Sequence, residues 1–163
     1  MTRNLRLLQA AQFVSVAGDW LYLAVLLNYA LQVTGGDARA SSYVAVAEHL
    51  PYLVLGLWAG VLVDRWDRRR ILLGSDLLRA AVLLGLYAAD RAGWVTGAGL
   101  VAAAASLLTL GSLFFNPARD ALLPELAEGQ DLVKANASIA VSQYLAQMLG
   151  PLLAAVLLVA RPL

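Results

Sequence analysis

The chain has 163 residues, of which 61% are hydrophobic and 14% are charged. Soluble domains carry about a quarter charged residues, so this composition excludes an ordinary water-soluble domain, and the net charge of +1 gives no sign of a nucleic-acid surface. The sequence has no cysteine, which excludes disulfide scaffolds, thiolate metal sites and cysteine nucleophiles. Its apolar runs leave no polar helix face, and this favours burial in lipid or in a helix bundle.

Five apolar stretches are each long enough to cross a bilayer, which takes about 20 helical residues. They cover residues 7–33, 43–63, 71–89, 94–115 and 136–160. Turn-forming residues separate them, and we expect the connections 64–70 and 116–134 to be cytoplasmic loops. The sequence therefore predicts an all-α, multi-pass membrane protein, with residues 1–163 forming an incomplete N-terminal transmembrane domain.

The Lys and Arg residues near the helix ends predict the orientation, because cytoplasmic loops retain an excess of them. If the N-terminus is cytoplasmic, eight basic residues lie inside and three outside. The inner ones are Arg3, Arg6, Arg65, Arg68, Arg69, Arg70, Arg119 and Lys134, and the outer ones are Arg39, Arg91 and Arg161.

The first two spans each contain an acidic residue that is a candidate proton or substrate site. Asp19 lies near the middle of the first span, where a lone charge costs about 2.5–3.5 kcal/mol. It either faces a water-filled cavity and exchanges a proton, or makes a structural hydrogen bond within the bundle. Glu48, beside His49 and before Pro51, either titrates with the imidazole or is a charge tolerated near the headgroups, beside a kink.

The segment Asp64–Arg70, which we call the charged turn, places six ionised groups within seven residues. Its arginines alone would fix the topology, but this does not explain Gly60 or Asp64. Gly60 lies one helical turn before Asp64 on the same face. A glycine there lets another backbone approach next to a carboxylate at a helix end.

Two further features lie inside the third and fifth spans. Asp76 and Arg79 are three residues apart on one helix face, within about 12 Å of the inner end of their helix. They form either an internal ion pair that braces the charged turn or part of a substrate or proton path. Gly150 and Pro151 predict a kink that permits close helix packing, and a generic packing kink is an equal alternative.

The charged turn resembles the major facilitator superfamily, which the pattern Gly-x-x-x-Asp-Arg-x-Gly-Arg-Arg marks between helices two and three. Gly60, Asp64 and Arg65 match this pattern, whereas Asp67 stands at its second glycine. The charged turn and three further segments are similar to the enterobactin-exporter-like branch of drug and siderophore efflux proteins. Those segments are Gly18–Trp20, Ser75–Arg79, and Asn116–Pro124 with Ala135–Ala137.

Gly150–Ala155 also resembles an exporter element of this superfamily, Gly-Pro-x-x-Gly-Gly. Here Ala154 and Ala155 replace its last two glycines.

This resemblance implies that the charged turn belongs to a cytoplasmic gate. Asp64 and Arg68 match the gate positions, Arg65 and Arg69 complete the motif, and Asp120 at the inner end of helix four is the implied partner of Arg68. A partly buried ion pair suits a gate because breaking it costs a few kcal/mol, roughly enough to bias two states without locking either.

The function that the resemblance implies is proton-coupled export of a small amphiphile by alternating access from a bacterial inner membrane. The expected partners are the substrate, protons, the bilayer, and a missing C-terminal half or a second subunit, with no cofactor, metal or catalytic residue. Nothing in the sequence combines a nucleophile, a base and a metal site, so an intramembrane enzyme is not expected. The alternative is a membrane assembly protein that needs a partner chain to transport.

Overall fold

The structure is a computed structural model, which describes residues 3–126 and 129–160. This part of the chain forms five helices: α1 (Arg3–Val33), α2 (Ala38–Arg65), α3 (Arg68–Arg91), α4 (Ala98–Leu126) and α5 (Gly129–Ala160). Each contains a stretch of 21 to 28 residues that is long and apolar enough to cross a membrane. The predicted all-α, multi-pass architecture is therefore confirmed.

The helices extend beyond the predicted spans, and the connections are correspondingly shorter. Only Trp66 and Asp67 of the charged turn lie outside a helix, because α2 ends at Arg65 and α3 begins at Arg68. The expected loop 116–134 is largely helical, since α4 continues to Leu126 and α5 begins at Gly129. Asn116 and Pro117 favoured a turn in the sequence, but membrane helices tolerate proline when neighbouring groups satisfy the freed backbone.

The chain separates into two compact units. The first consists of Met1–Val25 and Leu122–Leu163. Within it, α1 and α5 approach so closely that a Cβ added to Gly150 would lie 2.5 Å from Cβ of Trp20. Glycine is therefore required at this crossing.

The second unit, Leu26–Ala121, has α4 as its most buried helix. Half of the residues in the most apolar stretch of α4 are buried, against 17% in the corresponding stretches of α2 and α3. Below the charged turn, Val63, Ile71 and Ala118 form a buried apolar cluster. Two serines add bonds to backbone carbonyls of other helices: Ser41 Oγ donates to Leu27 O at 3.0 Å, and Ser106 Oγ donates to Ala47 O at 2.7 Å.

Candidate functional site

Asp67 is the N-cap of α3. Its Oδ1 accepts from the backbone N–H groups of Arg69 at 2.9 Å and Arg70 at 3.1 Å. Three arginines begin α3 at the positive end of the helix dipole, which is unfavourable, and the capping carboxylate opposes this effect. The backbone of Asp67 is extended, with φ −65° and ψ 112°, so this position does not need the glycine of the family pattern.

Arg68 connects the charged turn to α4. Its Nη1 donates to the backbone oxygen of Ala121 at 3.2 Å. The carboxylate of Asp120, the expected partner of Arg68, lies instead 2.6 Å from Nη2 of Arg119 and accepts from its Nε at 2.8 Å. Arg119 is only 4% exposed, and a buried guanidinium requires a carboxylate, which Asp120 supplies. The structure thus corrects the predicted pairing of Arg68 with Asp120, although Arg68 does contact the α4 residue that follows Asp120.

The face of α2 that carries Gly60 and Asp64 is exposed. Among the described residues, nothing outside its own helix turn lies within 4 Å of a Cβ added to Gly60, and none bonds to the Asp64 carboxylate. Leu57 and Val61 on this helix are exposed by 92% and 51%. The close backbone contact predicted at Gly60 is therefore not made within the described part of this chain.

Arg79 of α3 is buried against α4. Its Nη2 donates to Ser112 Oγ at 2.9 Å, and its guanidinium carbon lies 5.0 Å from the centre of the Phe115 ring, within cation–π range. Its Nη1 lies 3.6 Å from Asp76 Oδ1, whose side chain is 56% exposed. A Cβ added to Gly111 would lie 3.1 Å from Cγ of Arg79, so the small residue makes room for the arginine stem.

The two candidate proton sites differ in their surroundings. The Glu48 side chain is only 18% exposed, and its Oε2 lies 3.9 Å from Nδ1 of His49. The His49 ring is 78% exposed, and its Nδ1 lies 2.9 Å from Ala45 O. Asp19 is half-buried on α1 in the other unit. Glu48 is thus a largely buried carboxylate within a spanning helix, as an intramembrane proton or cation site requires.

Two polar contacts were not predicted. The Tyr29 hydroxyl donates to Asp90 Oδ1 and joins α1 to the end of α3 far from the charged turn. Arg119 Nη1 donates to Asn116 Oδ1 at 3.3 Å, beside its bond to Asp120. The second contact has a sequence signal, because Asn116 and Arg119 are three apart on one helix face once α4 is extended. No local spacing connects Tyr29 with Asp90, which are 61 residues apart.

The helices are long enough to span a membrane and carry ionisable side chains within the spans. A charged turn joins the second and third of them. These features define a polytopic membrane protein with ionisable groups at membrane depth, as transporters have. Residues 9–161 match the family model described as Major Facilitator Superfamily, and the chain belongs to that family. Its members are transporters, not enzymes.

Similar proteins include two bacterial efflux proteins. The chain is 29% identical over 152 residues to macrolide efflux protein A of Streptococcus pyogenes, an alignment that covers 91% of this chain and 36% of the relative. It is 33% identical over 149 residues to the multidrug efflux pump Tap of Mycobacterium tuberculosis, covering 86% of this chain and 34% of the relative. The chain thus spans about a third of the length of these relatives. No solved structure matches it.

Proposed function

We propose that the protein is part or all of a secondary active exporter of a small amphiphilic molecule, of the drug or siderophore class. Relatives named for macrolide and multidrug efflux support export and an amphiphilic substrate. The likeness of the charged turn to the enterobactin-exporter-like branch supports the same class. The excess of basic residues around the charged turn supports an inner membrane orientation with the N-terminus in the cytoplasm.

The arrangement around the charged turn carries this proposal. Arg68 connects the turn to the backbone of α4 at Ala121, next to the ion pair between buried Arg119 and exposed Asp120. On the neighbouring helix, Gly60 and Asp64 remain exposed. The α3 side of the gate is therefore held within this chain by Arg68. The α2 side presents the Asp64 carboxylate and Gly60 to a helix of a C-terminal half or a second subunit. A contact that forms in one state and breaks in the other biases alternating access.

Proton coupling is assigned to Asp19 and Glu48, with Asp76 and Arg79 as a bracing ion pair. Glu48 is largely buried and Asp19 half-buried within spanning helices, where a carboxylate is costly to keep charged. When the transporter exposes such a carboxylate to the other side of the membrane, the carboxylate would then bind or release a proton. Arg79 has Asp76, Ser112 and Phe115 around it, which favours a structural role over a direct one in proton transfer.

The gate is tested by efflux in everted vesicles that contain the full-length protein, with a radiolabelled macrolide and ethidium as probes. We expect Asp64→Asn and Gly60→Leu to slow transport at least about tenfold, because a contact of a few kcal/mol is lost in one state. Asp37→Asn and Gly85→Leu are the matched controls. Asp37 is an exposed carboxylate at the other end of α2, and Gly85 is an exposed glycine with open space around it.

Unchanged cycling in Asp64→Asn would refute the gate. Efflux that appears only when a second chain is co-expressed would favour the two-subunit arrangement, and no efflux under any condition would favour the assembly-protein alternative.

Coupling is tested separately by comparing accumulation driven by a pH gradient with substrate exchange at equal pH. A variant that lacks the proton site should lose the first and keep the second, since exchange needs no net proton movement. We expect this behaviour for Asp19→Asn or Glu48→Gln. If both variants keep full gradient-driven accumulation, the proton-site assignment is wrong even where the gate assignment holds.

A further inference from the structure

A groove of about 560 Å³ opens between the first half of α3 and the facing stretch of α4. Arg65, Trp66 and Arg70 line its mouth at the charged turn, and it continues past Gly74 to Leu78. The eight helical steps from Arg70 to Leu78 correspond to about 12 Å along the helix. We call this feature the α3–α4 groove.

The mouth and the body of the α3–α4 groove differ in chemistry. Arg65 and Arg70 are exposed and give the mouth two positive charges. The Asp67 carboxylate also lines the mouth, but it accepts two backbone hydrogen bonds as the cap of α3, and a net positive charge remains. The walls below are mostly apolar. Their apolar side chains are Ile71, Leu78, Leu110 and Phe114.

The α3–α4 groove lies within the spanning part of α3 and α4, so membrane lipid is the ligand that can reach it. The charged turn joins two spanning helices, so the mouth lies at a membrane surface. Trp66 is 57% exposed there, as aromatic residues at the interface between bilayer and water are. A depth of about 12 Å approaches that of one leaflet, which is half of a hydrocarbon core about 30 Å thick.

From the charge at the mouth and the apolar body, we propose that the α3–α4 groove binds an anionic phospholipid. Its phosphate lies between Arg65 and Arg70, and one acyl chain occupies the groove beside Gly74. Exposed Gly74 leaves the groove wide one turn below its mouth, because no described atom outside its own helix turn lies within 4 Å of a Cβ added there. A cationic amphiphile would be repelled by the two arginines, so the site selects against positively charged drugs. The proposal concerns lipid binding alone and stands independently of the transport reaction.

The test is native mass spectrometry of the full-length protein in detergent micelles, titrated with phosphatidylglycerol or with phosphatidylcholine of the same acyl chains. We expect Arg70→Gln to weaken the first phosphatidylglycerol about fivefold, which corresponds to about 1 kcal/mol for one basic residue near a membrane surface, and to leave phosphatidylcholine unchanged. Arg91→Gln, at the other end of α3, is the charge control. Gly74→Leu should fill the groove and weaken both lipids, whereas Gly85→Leu on the same helix should weaken neither.

Three results would overturn the proposal. Equal effects of Arg70→Gln and Arg91→Gln would mean that lipid is attracted by overall charge and not by the groove. Tight binding in a folded Gly74→Leu variant would mean that no acyl chain enters. Displacement of the lipid by soluble glycerol phosphate at similar concentrations would mean that the arginines bind a free phosphate group without the chain.

Discussion

Gly150→Ala is the substitution for which the structure gives the clearest expectation. The new Cβ would lie 2.5 Å from Trp20 Cβ, 3.0 Å from Leu21 N and 3.1 Å from Trp20 C. These atoms belong to the backbone of α1 or are fixed to it, so no side-chain rotation removes the clash. Ordinary contact begins near 3.4 Å, and α1 and α5 must therefore separate by about 0.9 Å at this crossing.

Such overpacking costs about 1–3 kcal/mol, and the helix preference of alanine over glycine returns up to about 1 kcal/mol. We expect a net loss of about 1–2 kcal/mol. The measurement is the unfolding temperature of the purified full-length protein in one detergent at one scan rate, with Gly18→Ala as the control. Gly18 lies on α1 in the same unit, with open space around it. Gly18→Ala should unfold at or slightly above the wild-type temperature, and a Gly150→Ala variant that does the same would refute the packing described for this crossing.

Three further substitutions have expectations of the same kind, measured in the same unfolding assay. Tyr29→Phe removes the hydroxyl that donates to Asp90 and should lower the free energy of unfolding by about 1 kcal/mol. Tyr87→Phe, on the exposed surface of α3, should leave the free energy of unfolding unchanged, and equal effects of the two variants would contradict the contact between Tyr29 and Asp90. Asp67→Ala should lower the free energy of unfolding by about 1 kcal/mol, and Asp67→Asn should lower it much less because asparagine also caps helices. Similar losses in the two variants would argue against a capping role for Asp67. Arg119→Gln should lower the unfolding temperature more than Arg69→Gln, since the Arg119 guanidinium is buried and paired with Asp120 while Arg69 is exposed; the reverse order would exclude this pairing.

The sequence predicts the helices well because membrane spans obey one simple rule of length and apolarity. All five spans follow from this rule, and a spacing of three residues puts Asp76 and Arg79 on one face of α3. The helix ends cannot be predicted in this way. Whether α4 continues through Pro117 depends on which neighbouring groups form hydrogen bonds with the backbone that the proline leaves unpaired. The partner of Asp120 is also not predictable from the sequence. Whether its carboxylate pairs with Arg68 or with Arg119 depends on which guanidinium is buried, and this is Arg119.

The burial of Arg79 has a consequence for how the protein enters the membrane. Arg79 lies in the middle of α3, where insertion of an arginine costs about 2.5–3.5 kcal/mol, yet its hydrogen-bond partner Ser112 is 33 residues later in the chain. While the ribosome is still making α4, Asp76 on the same helix is already available to pair with Arg79, whereas Ser112 is not. Because two residues connect α2 with α3, these helices can enter the bilayer as one hairpin. We therefore expect the bond between Arg79 and Ser112 to form once α4 has entered the bilayer beside this hairpin.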